Sequence, residues 1–202
     1  ISGHGYGFNE ALMSRAMKQG FQVAIHAIGD AGNREAIDIL EKVFNEDPST
    51  RLNRHRIEHA QILHPDDLPR LSQLGIIASM EPAHAVEDKT WAEDRLGSDR
   101  VKGAYAWRSI RESGARLTFN SDNPGSDHSI FYGLHSAITR QDKDAQPEGG
   151  WFKEESVNID EAVRAYTSWS AYASFREDLT GIIESQWNRW EIHWNSCGIF
   201  RA

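Results

Sequence analysis

Short apolar, β-branched runs alternate with longer helical patterns along this chain, and that alternation constrains its fold more than any other feature. Residues 9–19 read as a helix, with apolar Ala11, Leu12, Met13 and Ala16 and a stop at Gly20. Residues 21–27 (FQVAIHA) read as a strand from their apolar, β-branched run. Residues 32–44 place Ala36, Ile37, Leu40, Val43 and Phe44 on one helical face. A shorter strand is expected over 56–60, then a helix opened by Pro65 and closed by Gly75. A third strand follows over 76–79, a helix over 99–112 ending near Gly114, and a fourth strand over 116–120. Asn158 with Glu161 forms a capping-box-like start to a helix reaching about residue 174.

Such alternation predicts an α/β fold with parallel strands and helices packed outside them. Four βα units are too few to close an eight-stranded barrel, so half of a TIM-like barrel is the natural reading. The polar, Gly- and Pro-containing stretch 142–155 (DKDAQPEGGWFKEE) is expected as a long loop after the fourth strand. Barrel enzymes place substrate-covering loops there. No internal repeat or clear domain boundary interrupts the pattern.

Composition excludes several classes of partner. The net charge of −8 argues against nucleic acid or an anionic membrane, which need clustered Lys and Arg. No apolar run approaches the ~20 residues that would span a bilayer. The lone cysteine, Cys197, forbids an intrachain disulfide and suits a reducing compartment, so we expect a cytoplasmic protein. The chain begins at Ile1 rather than Met, which leads us to expect sequence upstream.

Three polar residues sit at the C-terminal ends of expected strands, the face where barrel enzymes keep their active sites. They are His26 in VAIHAIGD, His59 in HRIEHAQ and Asp122 in FNSDNPGSD. Imidazole and carboxylate are both good ligands for first-row metals, and two His with one Asp leave a position open for water. Taken singly, a strand-end histidine is more often a hydrogen-bonded core residue, and Ser-Asp before Asn-Pro is more often a turn. On pattern alone a metal site and these structural readings stand level.

Several separate motifs occur in order: HAIGDAGNR (residues 26–34), RIEHAQIL (56–63), IIASMEPAH (76–84), WAEDRLG and GAYAWRSI. They resemble amidohydrolase family 3, which includes D-aminoacylases and N-substituted formamide deformylases, and the resemblance runs from about residue 8 to 184. It implies strands five to eight of a (β/α)8 barrel over residues 1–184. His26 and His59 match metal-binding histidines, and Asp122 matches an aspartate that binds metal or water and shuttles the proton. His84 resembles a pocket residue facing substrate. A divalent metal, Zn²⁺ above all, as one or two ions, is implied, with a small-molecule amide-type substrate. The implied activity is hydrolysis of non-peptide C–N bonds. The competing readings are an inactive remnant serving as a folding or assembly module, and a metal-free binding barrel.

Other residues carry less. Asp30 reads as a cap for the helix over 32–44 or as a carboxylate orienting His26 from behind. Glu58 should point to the opposite side of its strand from His59 and is read as structural. His4, His55, His64, His128, His135 and His193 are given no role. The His-x-His pair and carboxylated Lys that this superfamily takes from its first and fourth strands have no counterpart here. Past Gly181–Glu184, where relatives continue with Gly-Lys-x-Ala-Asp, the chain reads SQWNRWEIHWNSCGIFRA. Trp187, Trp190 and Trp194 would share one face of a short helix. We expect this tail, 185–202, to come from a reading-frame change or a truncated gene. Open strand edges at 21–27 and 116–120 would need cover, and pairing of two copies into a pseudo-complete barrel is the form of homo-oligomer expected.

Overall fold

The computed structural model describes residues 8–182. The tail over 185–202, with Cys197 and the tryptophan stripe, lies outside the described residues, as do His4 and His193. Four parallel strands form one sheet in chain order: β1 Ala24–Ala27, β2 Arg56–His59, β3 Ile77–Met80 and β4 Arg116–Phe119. The helices are α1 Glu10–Lys18, α2 Asp30–Glu46, α3 Leu68–Leu74, α4 Pro82–Asp88, α5 Ala92–Arg100, α6 Trp107–Glu112, α7 Ile130–Thr139, α8 Ile159–Tyr166 and α9 Ser168–Ala173. Among the described residues no helix is long and apolar enough to cross a membrane.

Side-chain alternation divides the sheet into two faces. Register aligns Ile25, Ile57, Ala78 and Leu117 in one row, all buried. They share a core with Ile37 and Leu40 of α2, Leu71 of α3 and Ile110 of α6. Helix α2 packs on β1 and α6 on β4, with α3 between the two helices. The opposite row is His26, Glu58, Ser79 and Thr118, and it is polar. Glu58 pairs there with Arg56, in keeping with a structural role.

The edges of this sheet are partly covered by the chain itself. Helices α8 and α9 pack against β4. The end of α9 then reaches the N-terminal side of the sheet, where Ala173 O accepts from Gln22 Nε2 at 2.8 Å. Tyr172 lies between two guanidinium groups, Arg54 at 3.8 Å and Arg116 at 4.0 Å from its ring centroid. The turn before β2 and the first residue of β4 are thereby tied to one aromatic side chain.

The structure departs from the expected elements where tertiary contacts override local pattern. The helix expected over 99–112 is two helices, α5 and α6, separated by residues 101–106. There Leu63 N donates to Gly103 O at 3.0 Å and Tyr105 N to Gln61 O at 2.7 Å, so backbone groups that a helix would use internally pair with another loop. Gly103 is required at this crossing, since a Cβ there would sit 2.1 Å from Leu63 O. The helix expected to run to about 174 breaks at Thr167, with φ −123° and ψ −94°. Its start has the expected capping box, Glu161 N on Asn158 Oδ1 at 2.9 Å and Asn158 N on Glu161 Oε2 at 3.1 Å. Pro65 does not open α3, which begins at Leu68 and ends at left-handed Gly75. Helices α4 and α7 were not expected. Helix α7 separates β4 from the polar stretch 142–155, which is fastened by Trp151 against Tyr105 and by Arg140 Nε on Trp151 O at 2.8 Å.

Candidate metal centre

Strand ends on one rim of the sheet bring the functional side chains together. His26 is on β1, His59 ends β2, Glu81 directly follows β3, His84 lies in the first turn of α4, and Asp122 follows β4. The chain leaves β2 through two left-handed residues, His59 at φ 71° and Ala60 at φ 44°. Asp122 is left-handed too, at φ 51°. Non-glycine residues seldom adopt this conformation, and where they do the strain is often held at a functional site. Here it turns side chains out of the strand alternation and towards one another.

Glu81 organises the cluster from behind. Its buried carboxylate accepts from His59 Nδ1 at 2.9 Å through Oε2, and from Asn120 Nδ2 at 2.8 Å through Oε1. His84 Nδ1 lies 3.5 Å from the same Oε2. Asn120 in turn accepts from Asp122 N at 2.8 Å, so one side chain links the carboxylate behind His59 to the backbone of Asp122. Burial works to raise the Glu81 carboxyl, but hydrogen bonds from His59, His84 and Asn120 outweigh it and hold the group below the usual carboxylate range. The Glu81 hydrogen bond raises His59 against the opposing effect of burial. Burial acts to lower His84, and Glu81 and Asp122 reverse it, leaving the imidazole raised.

With Nδ1 committed to Glu81, His59 keeps Nε2 for another partner. This carboxylate–histidine pairing is the arrangement that fixes the tautomer of a metal-binding imidazole. His59, His84 and Asp122 each offer one donor atom, all within 4.8 Å of one another. His84 Nε2 lies 3.9 Å from Asp122 Oδ2. Two imidazoles and a carboxylate at these separations fit a divalent first-row cation.

Of the residues expected at the site, His59 and Asp122 therefore share one donor group, and His84 completes it. His26 is not in that group; its exposed ring stands edge-on to His59 with centroids 4.6 Å apart. It sits on the edge strand, whereas α4 starts at Pro82, separated from the end of β3 by Glu81 alone, and brings His84 over the strand ends. Asp30 does not touch His26. It is the first residue of α2, accepts from Ala31 N at 3.0 Å, and lies 3.8 Å from Arg100. A carboxylate there complements the helix dipole.

Sequence reasoning missed Glu81, Asn120 and Asn33. A carboxylate between an apolar run and a proline was the available signal for Glu81. Asn33 is fully buried on the apolar side of α2, and its Nδ2 donates to Gly29 O and Ile62 O, both at 3.0 Å. It joins the turns that follow β1 and β2, one beyond His26 and the other beyond His59. A lone Asn on a buried helical face was its signal.

The profile of the amidohydrolase family matches residues 4–185. The chain is 36% identical over 167 residues to protein LONG AFTER FAR-RED 3 of Arabidopsis thaliana, covering 82% of this chain and 28% of that protein. It is 29% identical over 178 residues to N-substituted formamide deformylase of Arthrobacter pascens, covering 86% of this chain and 31% of the relative. The crystal structure of an uncharacterized metal-dependent hydrolase from Pyrococcus horikoshii OT3 matches with a TM-score of 0.72 at 29% identity, over 86% of this chain and 34% of that one. The chain thus spans about one third of the length of these relatives. A family profile over nearly the whole sequence and a shared fold lead to one conclusion: the chain belongs to the amidohydrolase family.

Proposed function

We propose that β1 to β4 correspond to strands five to eight of an amidohydrolase barrel, and that their rim holds a divalent cation, Zn²⁺, for hydrolysis of a non-peptide C–N bond. The observation that carries this reading is the donor group of His59, His84 and Asp122 with Glu81 behind His59. A small N-substituted amide or formamide is the substrate class, by analogy with the deformylase relative.

His59 and Asp122 are the central ligands in this reading, with the imidazoles of His26 and His84 on either side. A divalent cation, when bound, would supply Lewis acidity, lowering the pKa of water towards ~7 and polarising a carbonyl. Glu81 keeps the His59 ring oriented with Nε2 directed away from the carboxylate. Asp122 takes the proton of the attacking water and returns it to the leaving nitrogen, acting as base and then acid. Its exposed carboxylate, set by the Asn120 hydrogen bond to its backbone, is free to do both. His84, on the rim above Glu81, faces the substrate from the side of α4.

Metal analysis after dialysis against zinc, combined with assay of a panel of N-acyl amino acids and formamides, tests the reading. Retained zinc that is lost on replacing His59, together with turnover of a panel member, is expected. Absence of both would leave the chain as a folding or assembly module.

A further inference from the structure

Gln61 and Asp88 each lie close in sequence to an imidazole of the proposed site: Gln61 two residues beyond His59, and Asp88 four beyond His84 at the end of α4. They meet directly. Asp88 Oδ2 accepts from Gln61 Nε2 at 2.6 Å and from the hydroxyl of buried Tyr105, which Gln61 Nε2 also contacts. Tyr105 is held by its backbone as well, its N donating to Gln61 O at 2.7 Å and its carbonyl accepting from Arg140 Nη1 at 3.0 Å. Arg140 is fully buried, with its guanidinium 4.3 Å from the ring of Trp107 and 5.3 Å from that of Trp151.

Four residues around this knot are left-handed without being glycine: His59, Ala60, Tyr105 and Arg140, with φ of 71°, 44°, 53° and 60°. Such conformations persist only where surrounding contacts over-determine them. The side chain that takes up Gln61 and Tyr105 together is Asp88. On this basis we propose that Asp88 is a positioning residue that clamps the turn carrying His59 to the helix carrying His84, and so sets the spacing of the two imidazoles. The proposal rests on the cation-binding reading for its consequence, but the clamp itself does not need a cation.

Asn at position 88 keeps an oxygen able to accept from both donors, whereas Leu fills similar space and accepts nothing. We therefore compare Asp88→Asn and Asp88→Leu in the 202-residue chain, by zinc competition with a chromophoric chelator and by imidazole Cε1–H resonances recorded without metal. The Leu variant should bind zinc about 10-fold more weakly, the scale of a lost outer partner of a metal ligand. It should also shift the His59 and His84 resonances, while the Asn variant stays near the parent in both. Should Asp88→Leu fail to fold, Gln61→Leu removes the clamp from the other side and carries the same expectation. Unmoved resonances in a folded Leu variant overturn the proposal, as does an Asn variant impaired as much as Leu. Resonances that move in Leu and not in Asn, in a chain whose parent binds no zinc, support the clamp and sink the cation reading instead.

Discussion

The covered face of the sheet and its C-terminal rim obey different rules. Behind the sheet, Ile25, Ile57, Ala78 and Leu117 meet the apolar faces of α2, α3 and α6, and each residue follows the period of its own element. At the rim, a few residues away, His59, Ala60 and Asp122 leave the β conformation for left-handed backbone, and a buried carboxylate holds an imidazole. The covered face contributes apolar burial, which is non-directional and tolerates approximate fit. The rim depends on directional hydrogen bonds among Glu81, Asn120 and His59, where loss of one partner strands the others. Changes behind the sheet should therefore act on stability, and changes at the rim on chemistry and metal affinity.

The largest separation of the two is expected from Asp122→Asn. Hydrolysis should fall by about 10²- to 10⁴-fold, the usual worth of a general acid–base group, with the unfolding midpoint unchanged and zinc largely retained by the imidazoles. Complete loss of zinc in this variant would show that Asp122 is chiefly a ligand. Behind the sheet, Leu40→Ala should cost about 2–5 kcal/mol in denaturant unfolding, by lost burial and the cavity left, with unchanged zinc affinity once folded. A matching fall in zinc affinity would mean that the regions are coupled.

Acid should act through the covered side as well. His55 is buried against Phe44, accepts from Val23 N through Nδ1, and has its Nε2 on Thr50 O. Burial pushes its imidazole down from 6.5 to about 4. Below pH 6.5 the unfolded chain takes up a proton that the folded chain refuses until about pH 4. Stability should therefore fall as pH drops through that window, by about 3 kcal/mol from this group. His55→Gln should flatten that part of a stability–pH curve; an unchanged slope would assign it to other groups. The smallest effect is expected from Glu81→Gln. Zinc affinity should drop about 10- to 100-fold while the fold is kept, because a neutral amide orients His59 less firmly than a carboxylate does. Equal affinity in the variant would remove Glu81 from the account of the site.

How much of this was legible in the sequence depends on which interactions decide each element. All four strands and the α2 face could be read, because their periodicity is local and matches the covered core. The capping box at Asn158 and Glu161 was equally local. The division of the expected 99–112 helix was not, because its cause is pairing of residues 103–105 with 61–63, some forty positions away. At the site, residue type and strand-end position singled out His26, His59 and Asp122, and resemblance added His84. Which of them share a donor group depends on the turn angles at His59 and Asp122 and on where α4 starts, none of which a periodicity encodes. Glu81 and Asp88 were overlooked for a related reason: a lone acidic residue has no pattern until its partners are in place.

By itself, then, the amino-acid order determined the alternation of strand and helix, the apolar side of each element, and the kinds of group available at the strand ends. Tertiary structure alone decided that His59, His84 and Asp122 converge, that Glu81 and Asn120 stand behind them, and that Asp88 meets Gln61 and Tyr105. The physical reason is range. Hydrophobic period and capping act over a few residues, whereas hydrogen bonds between side chains from separate loops take effect only once the sheet has brought those loops to one rim.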